Sequence, residues 1–433
     1  VDVLVSIASF IADNIFSQPA LLVGLIAMVG LIVQRKGFSD VLVGTLKTAV
    51  GFLIMAKGAD IVVEALLALT PILQGAFGME VSLLEVFGGA GLGTLMANYG
   101  SPAALIMTFG FLFHVLLARF TKFKYIYLTG HLMFWISLVL VAVQLEINPN
   151  TSTTTMVVAG SIIAGVYWTL QPAFTQGLMR VVTGGDELAL GHTSASGAWL
   201  SGKLGKFVGS PENSTEDLEL PSWLGFFRDV TVATAVVIAL VVVIAALFAG
   251  PSVVQPLAGG LNYIIFSAMQ GLTFAVGIAV LLLGVRMVLG EIVPAFRGIA
   301  MKIVPGAKPA LDCPITFDYA PTAVLFGFLT AFVVFMICMV VFGAIGWTVI
   351  VPPMIMLFFV GGTCGVFGNA TGGVRGAILG GIILGLFLAF GQAITMPMLS
   401  NTAPELAQLA DPDWYIIIWI FKPIFSLLSG ILG

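Results

Sequence analysis

The chain has 433 residues, a mean hydropathy of +1.11, only 9% charged residues and a net charge of −4. Charge this sparse cannot coat a soluble protein of this size, and the repeated apolar runs of about 17–25 residues match the thickness of a bilayer. Together these properties exclude a large soluble enzyme and a nucleic-acid-binding protein, and they set the class as an all-α polytopic membrane protein.

The start, VDVLVSIASF, lacks a basic n-region, so no removable signal peptide is expected, and Val1 fits a trimmed or processed N-terminus. About eleven spans follow, at 19–34, 38–57, 101–118, 126–147, 154–179, 230–249, 261–290, 319–342, 345–361, 374–397 and 412–432. Basic residues gather after alternate spans: Arg35 and Lys36, then Arg119 to Lys124, then Arg180 to Arg228, then Arg297 to Lys308, then Arg375. The connections between, at 74–100, 148–153, 250–260, 343–344 and 398–411, hold no Lys or Arg. Positive loops stay in the cytoplasm, which predicts an outside N-terminus and a cytoplasmic C-terminus.

An internal repeat runs through the same spans. DIVVEALLALTPILQGA (60–76) is similar to EIVPAFRGIAMKIVPGA (291–307), and NYGSPAAL (98–105) to DYAPTAV (318–324). Asn150 and Ser152 match Asn369 and Thr371 at an offset of 219. Five spans per copy is an odd number, so the copies insert in opposite senses, a common plan among transporters with a midplane site. The expected domains are a first inverted repeat at 1–215, a second at 216–410 and a final transmembrane helix at 411–433.

Four stretches are too polar or too rich in glycine to be ordinary spans: 87–102, GHTSASGAWLSG at 191–202, LDCPITFDYAP at 311–321, and FVGGTCGVFGNATGG at 359–373. Irregular backbone at membrane depth is tolerated where protein covers it or where it lines a wet cavity, so re-entrant segments are expected here. Close helix packing by glycine is the alternative reading. His192 sits in such a segment beside Thr193 and Ser194. His131 follows a Thr-Gly pair, so helix capping competes with a binding role, while His114 lies mid-pattern on an apolar helix and reads as a packing residue. Asp312 is a carboxylate close to the membrane, expensive there and suited to accepting hydrogen bonds from substrate hydroxyls. Asp60 and Glu291 are related by the repeat and read as partners of nearby bases, and Lys47 and Lys57 either line the interior or snorkel. Cys313, Cys338 and Cys364 match no metal or redox spacing and read as packing residues; no metal or cofactor is expected.

TGHLMF (129–134), the GH at 191–192, EDLELPSWLGFFRD (216–229), GVRMVLGEIVPAF (284–296), VPGAKPALDC (304–313) and VFGNATGGVRGA (366–377) resemble the ascorbate-type permease, enzyme IIC, of the bacterial phosphoenolpyruvate-dependent phosphotransferase system. The resemblance runs from about residue 19 to 430. It implies eleven spans in two inverted five-helix repeats plus a final helix. It also implies a core domain that carries substrate against a V-shaped dimerisation domain, the two interleaved along the chain, and so a homodimer and an elevator-type step. The substrate it implies is ascorbate or a related small carbohydrate or sugar acid. The phosphoryl group would come from a separate enzyme IIB, with IIA upstream. By motif position it implies a substrate site of His131, His192, Thr193, Asp312, Gly58 in AKGAD and Phe87 in EVFGG.

Three motifs depart from the pattern. GHTS stands where ascorbate-transporting members show GHQQ, which brings in Ser194; Trp135 stands in place of a glutamine; and Val86 and Phe87 replace a Thr-Tyr pair. Each loss of a buried partner would cost a polyhydroxylated ligand about 1–3 kcal/mol, so either the pocket repacks or the substrate differs. The acidic loop 200–229 reads either as a docking surface or as a solvated linker with an interfacial helix. A secondary transporter of the same fold without phosphorylation is the rival function. A lipid-acting membrane enzyme would need an HExxH, GxSxG or paired acidic metal motif, and none is present.

Overall fold

In the computed structural model the described residues are 19–77, 90–218, 230–348 and 350–432. Helices dominate: α1 (Pro19–Val33), α2 (Phe38–Phe77), α3 (Ala90–Phe120), α4 (Gly130–Ile147), α5 (Thr153–Thr183), α6 (Ala195–Gly205), α7 (Val230–Ala249), α8 (Pro251–Val254), α9 (Tyr263–Lys302), α10 (Pro321–Ala344), α11 (Met354–Thr395) and α12 (Pro412–Leu432). Among the described residues seven helices are long and apolar enough to cross a bilayer, and a bent pair around Gly250 brings the number to eight. The chain is therefore an all-α polytopic membrane protein.

Several helices differ from the spans expected of the sequence. The run 38–57 continues through Phe77, as α2, and 261–290 continues to Lys302, as α9. These two helices have 40 residues each. They pack antiparallel, Gly58 against Leu281 and Gly284 against Met55. A Cβ at Gly58 would stand 2.2 Å from the Leu281 backbone nitrogen, so only glycine lets the backbones approach this closely. The run expected at 345–361 starts at Met354 and, through FVGGTCGVFGNATG, stays helical to residue 372. The chain then reverses at Gly373, whose φ of 58° and ψ of −148° suit glycine. The arms 354–372 and 374–395 lie side by side, with Gly368 on Gly376 and Cys364 on Gly380, and α10 packs Gly327 against Gly361 and Gly381. Loop residues Ser210 and Asn213 cover the Gly373 turn, and Glu216 caps α10 by accepting from Thr322 N–H (3.0 Å) and Ala323 N–H (3.1 Å). Part of the acidic loop thus serves as a helix cap rather than a free surface.

The element the sequence did not announce is a small parallel sheet. Its strands are β1 (Tyr125–Tyr127), β2 (Ala189–Leu190) and β3 (Lys308–Leu311), in the order β1-β3-β2. Tyr127 and Ala189 both pair with Ala310, and Leu190 pairs with Leu311. Bonds from Leu128 N–H to Ala310 O (2.9 Å) and from Gly191 N–H to Leu311 O (2.7 Å) carry the ladder to its end. The outer edges are satisfied by helices. Gln171 and Gln176 of α5 donate to the carbonyls of Leu190 (3.2 Å) and Leu188 (3.0 Å), and Tyr127 N–H donates to His114 Nε2 (3.0 Å). His114 must then carry its proton on Nδ1, which lies 2.8 Å from Thr169 Oγ1. The packing role expected for His114 holds, with strand pairing as its cause.

Candidate functional site

The sheet explains how distant residues converge. Each strand runs the same way, and each is followed at once by polar residues: Thr129 to His131 after β1, Gly191 to Ser194 after β2, and Asp312 after β3. Parallel register therefore puts both histidines and the aspartate at one edge, the end at which parallel strands commonly present ligand groups. Thr129 also donates through Oγ1 to the Gly191 carbonyl, tying the first GH to the second. Gly191 has no room for a side chain, because a Cβ would meet the Ala310 carbonyl oxygen at 2.5 Å.

Asp312 sits between the histidines. Its Oδ2 is 3.7 Å from His131 Nε2, and its Oδ1 is 3.5 Å from His192 Nε2 and accepts from Cys313 N–H at 2.7 Å. The Cys313 bond marks Asp312 as the N-cap of the 3-10 turn Cys313–Tyr319, which fixes the carboxylate in place. His192 is buried, and its Nδ1 accepts the Ser194 N–H at 3.0 Å. Its proton is thereby held on Nε2, aimed at Asp312. His192, Asp312 and Cys313 could bring three ligand atoms within 4.8 Å of one another. The tautomer argues against a metal there, since Nε2 presents a hydrogen rather than a lone pair.

Two acids at the start of α12 complete the arrangement. Asp411 accepts from Thr193 Oγ1 and has its Oδ2 3.8 Å from His192 Nδ1. Asp413 N–H donates to the Thr193 carbonyl at 3.0 Å, and the Asp413 carboxylate accepts from Ser196 N–H (2.8 Å), Ser196 Oγ (2.5 Å) and Tyr167 OH (2.7 Å). The loop before α6 and the loop before α12 thus interlock.

These groups open onto a cavity of about 680 Å³, a size that suits a small organic ligand. His131, His192, Asp312 and Asp411 line it, with Trp135 and Trp414 whose rings lie 5.8 Å apart at 30°. The facing wall comes from α2 and is apolar at Phe52, Met55 and Ala56, with Asp60 beyond them paired to Lys57 at 2.8 Å. Of the residues expected from the sequence, His131, His192, Asp312 and Trp135 come together on the cavity. Thr193 and Ser194 stand behind His192, as a donor to Asp411 and as a backbone donor to the imidazole. Gly58 lies at the crossing of α2 with α9 rather than on the cavity, and Phe87 falls outside the described residues. Asp411 and Trp414 were not anticipated. The offset of 219 that relates Asn150 to Asn369 in the expected repeat would carry His192 onto Asp411, and an acid pair opening an apolar run is itself a signal.

Residues 14–413 match the family model EIIC-GAT, described as the PTS system sugar-specific permease component. The chain belongs to that family. The permease is also 28% identical over 449 residues to the ascorbate-specific PTS system EIIC component of Mycoplasma pneumoniae, an alignment covering 92% of this chain and 68% of that relative. The resemblance seen in the short motifs is therefore a family relationship spanning most of the permease, and the interlocked strand ends lie inside the matched region.

Proposed function

We propose that the permease binds a small polyhydroxylated carbohydrate, ascorbate or a related sugar or sugar acid, in the 680 Å³ cavity and carries it into the cell. A separate enzyme IIB, charged through IIA, then phosphorylates it. The observation that carries this reading is the parallel register that sets His131, His192 and Asp312 on one wall. That wall offers imidazole donors and carboxylate acceptors for hydroxyl groups, and the two tryptophans offer flat apolar faces for the C–H side of a sugar ring.

The asymmetry of the cavity supports an elevator-type step. The hydrogen-bonding groups come from the sheet, its strand-end loops and the start of α12, while α2 supplies a largely apolar face. A polar unit sliding past an apolar one can keep its ligand wrapped throughout. The equal lengths and antiparallel packing of α2 and α9 support two inverted repeats, at 1–215 and 216–410, followed by the final helix at 411–433. We assign a homodimer, with an outside N-terminus and a cytoplasmic C-terminus, on the family pattern and the basic-loop alternation.

The test is uptake into proteoliposomes holding purified permease, with and without IIB, IIA and phosphoenolpyruvate. Accumulation of a phosphorylated sugar that needs the whole relay is the expected result. Equal uptake of unmodified sugar without the relay would make the protein a secondary transporter.

A further inference from the structure

We propose that Asp411 is a second carboxylate anchor of the cavity and that, with Asp312, it selects an uncharged sugar or sugar alcohol over a ligand bearing a carboxylate or enolate. This rests on the reading that the cavity holds the transported solute.

The charge of the lining carries the inference. Among the described lining residues there are three acids and two histidines, and no lysine or arginine. Asp60 is neutralised by Lys57, whereas Asp312 faces the two imidazoles. Asp411 has no cationic partner among the described residues: its hydrogen bond comes from the Thr193 hydroxyl. The nearest imidazole nitrogen, His192 Nδ1, already directs its lone pair at the Ser194 amide and so has no proton to donate to the carboxylate 3.8 Å away. Its neighbour Asp413 adds another negative charge, fully occupied by Ser196 and Tyr167. Asp413 does the tying of α12, which leaves Asp411 at the cavity surface with acceptor capacity for a ligand.

An anionic ligand would approach two largely buried carboxylates, Asp312 and Asp411, beside which like charges repel more strongly than in bulk water. Hydroxyl groups meet the same carboxylates as donors and form charge-assisted hydrogen bonds. The tryptophan faces add to the bias, because the π face is itself negative.

The test is equilibrium binding to the full-length permease in nanodiscs at pH 8, with mannitol and sorbitol as neutral probes and gluconate and ascorbate as anionic ones. The neutral probes are expected to bind at least about tenfold more tightly than the anions. Asp411→Asn, similar in shape and uncharged, should weaken the neutral probes about tenfold and reduce the gap between the classes. A tighter fit for gluconate or ascorbate than for either hexitol would overturn the proposal, and so would an unchanged ratio in a folded Asp411→Asn protein. The wild-type comparison stands whether or not that variant folds. Loss of hexitol binding in His192→Ala, with normal thermal unfolding, supports the cavity as the site. Hexitol binding that survives both His192→Ala and Asp312→Asn would instead refute the cavity reading, and absence of binding by every probe to folded wild type would overturn both.

Discussion

Gly191→Ala tests the strand-end origin of the site most directly. A Cβ at this position would stand 2.5 Å from the Ala310 carbonyl oxygen and 2.7 Å from its carbon. Non-bonded carbons pack at about 3.5–4.0 Å, so β2 must move off β3 by roughly 1 Å. That movement stretches the Gly191 N–H bond to Leu311 O, now 2.7 Å, and loosens the bond that Thr129 gives to Gly191 O. Overpacking of this kind costs about 1–3 kcal/mol, and weakening two buried hydrogen bonds adds about 1–2 kcal/mol. His192 is the next residue, and a shift of that size takes its Nε2 out of reach of a ligand shared with Asp312. Carbohydrate affinity should fall at least about tenfold, alongside a lower melting temperature in detergent. Gly177→Ala is the control, since nothing lies within 4 Å of its Cβ position in α5. It should be neutral or stabilise the protein by about 0.5–1 kcal/mol. If Gly191→Ala bound sugar and melted like Gly177→Ala, the sheet would not be what positions the histidine.

Gly373→Ala should destabilise by more than about 3 kcal/mol, read as loss of folded protein in detergent, because it adds a side chain at φ 58° and drives a Cβ to 2.2 Å from the Asn213 carbonyl oxygen. His192→Ala should cost more affinity than His131→Ala, about 10–100-fold against a few-fold in direct binding, since His192 is buried between two carboxylates and the His131 side chain is 47% exposed. Tyr167→Phe removes one of the three donors to Asp413 and should lower stability by about 1–2 kcal/mol in thermal unfolding. Asp186, in the loop after α5, is held well below the usual carboxylate range by its hydrogen bond from Arg180, with Lys308 and Gln176 adding to it. A depressed value means the stabilisation is present above the unfolded pKa of about 3.9 and is lost as pH falls through the folded value. Melting curves of wild type and Asp186→Asn should therefore differ at pH 6 and converge in strong acid; a constant gap would remove the ionised carboxylate as the cause.

The long apolar helices were legible because hydropathy over some twenty residues is a strong signal, although about eleven spans were expected and seven or eight helices among the described residues qualify. The polar stretches GHTS and LDCP lie at strand ends beside the cavity. The sheet was not legible. Its strands are two to four residues long, too short to establish a period of two, and they were absorbed into neighbouring helices and loops. Without it the sequence could propose His131, His192 and Asp312 as a set yet give no reason for their meeting. Gly58 shows the opposite limit. A motif position alone does not reveal which way a helical residue faces, and here α9 occupies that side. The polar run 359–372 was expected to break, yet it stays helical because its small residues let α10 and the second arm of α11 pack against it. Only Gly373, where the chain must reverse, takes a non-helical conformation.

A parallel sheet is an unusual device for a chain in lipid, because strand edges expose unpaired amides and carbonyls that hydrocarbon cannot satisfy. This permease resolves the problem with polar side chains placed on otherwise apolar helices. His114 takes the free amide of β1, while Gln171 and Gln176 cover the free carbonyls at and before β2. Those three residues look anomalous on a hydropathy plot, and each would be costly if left unpartnered. Paired with the strand edges, they let a three-stranded element exist where a closed barrel would otherwise be needed. The arrangement also explains why β3 is central. It alone comes from the second half of the chain, so the ladder that aligns His131 with His192 is completed only when both halves are folded together. Binding competence is therefore coupled to assembly of the two halves: a permease in which they separate loses Asp312 and the strand register at once.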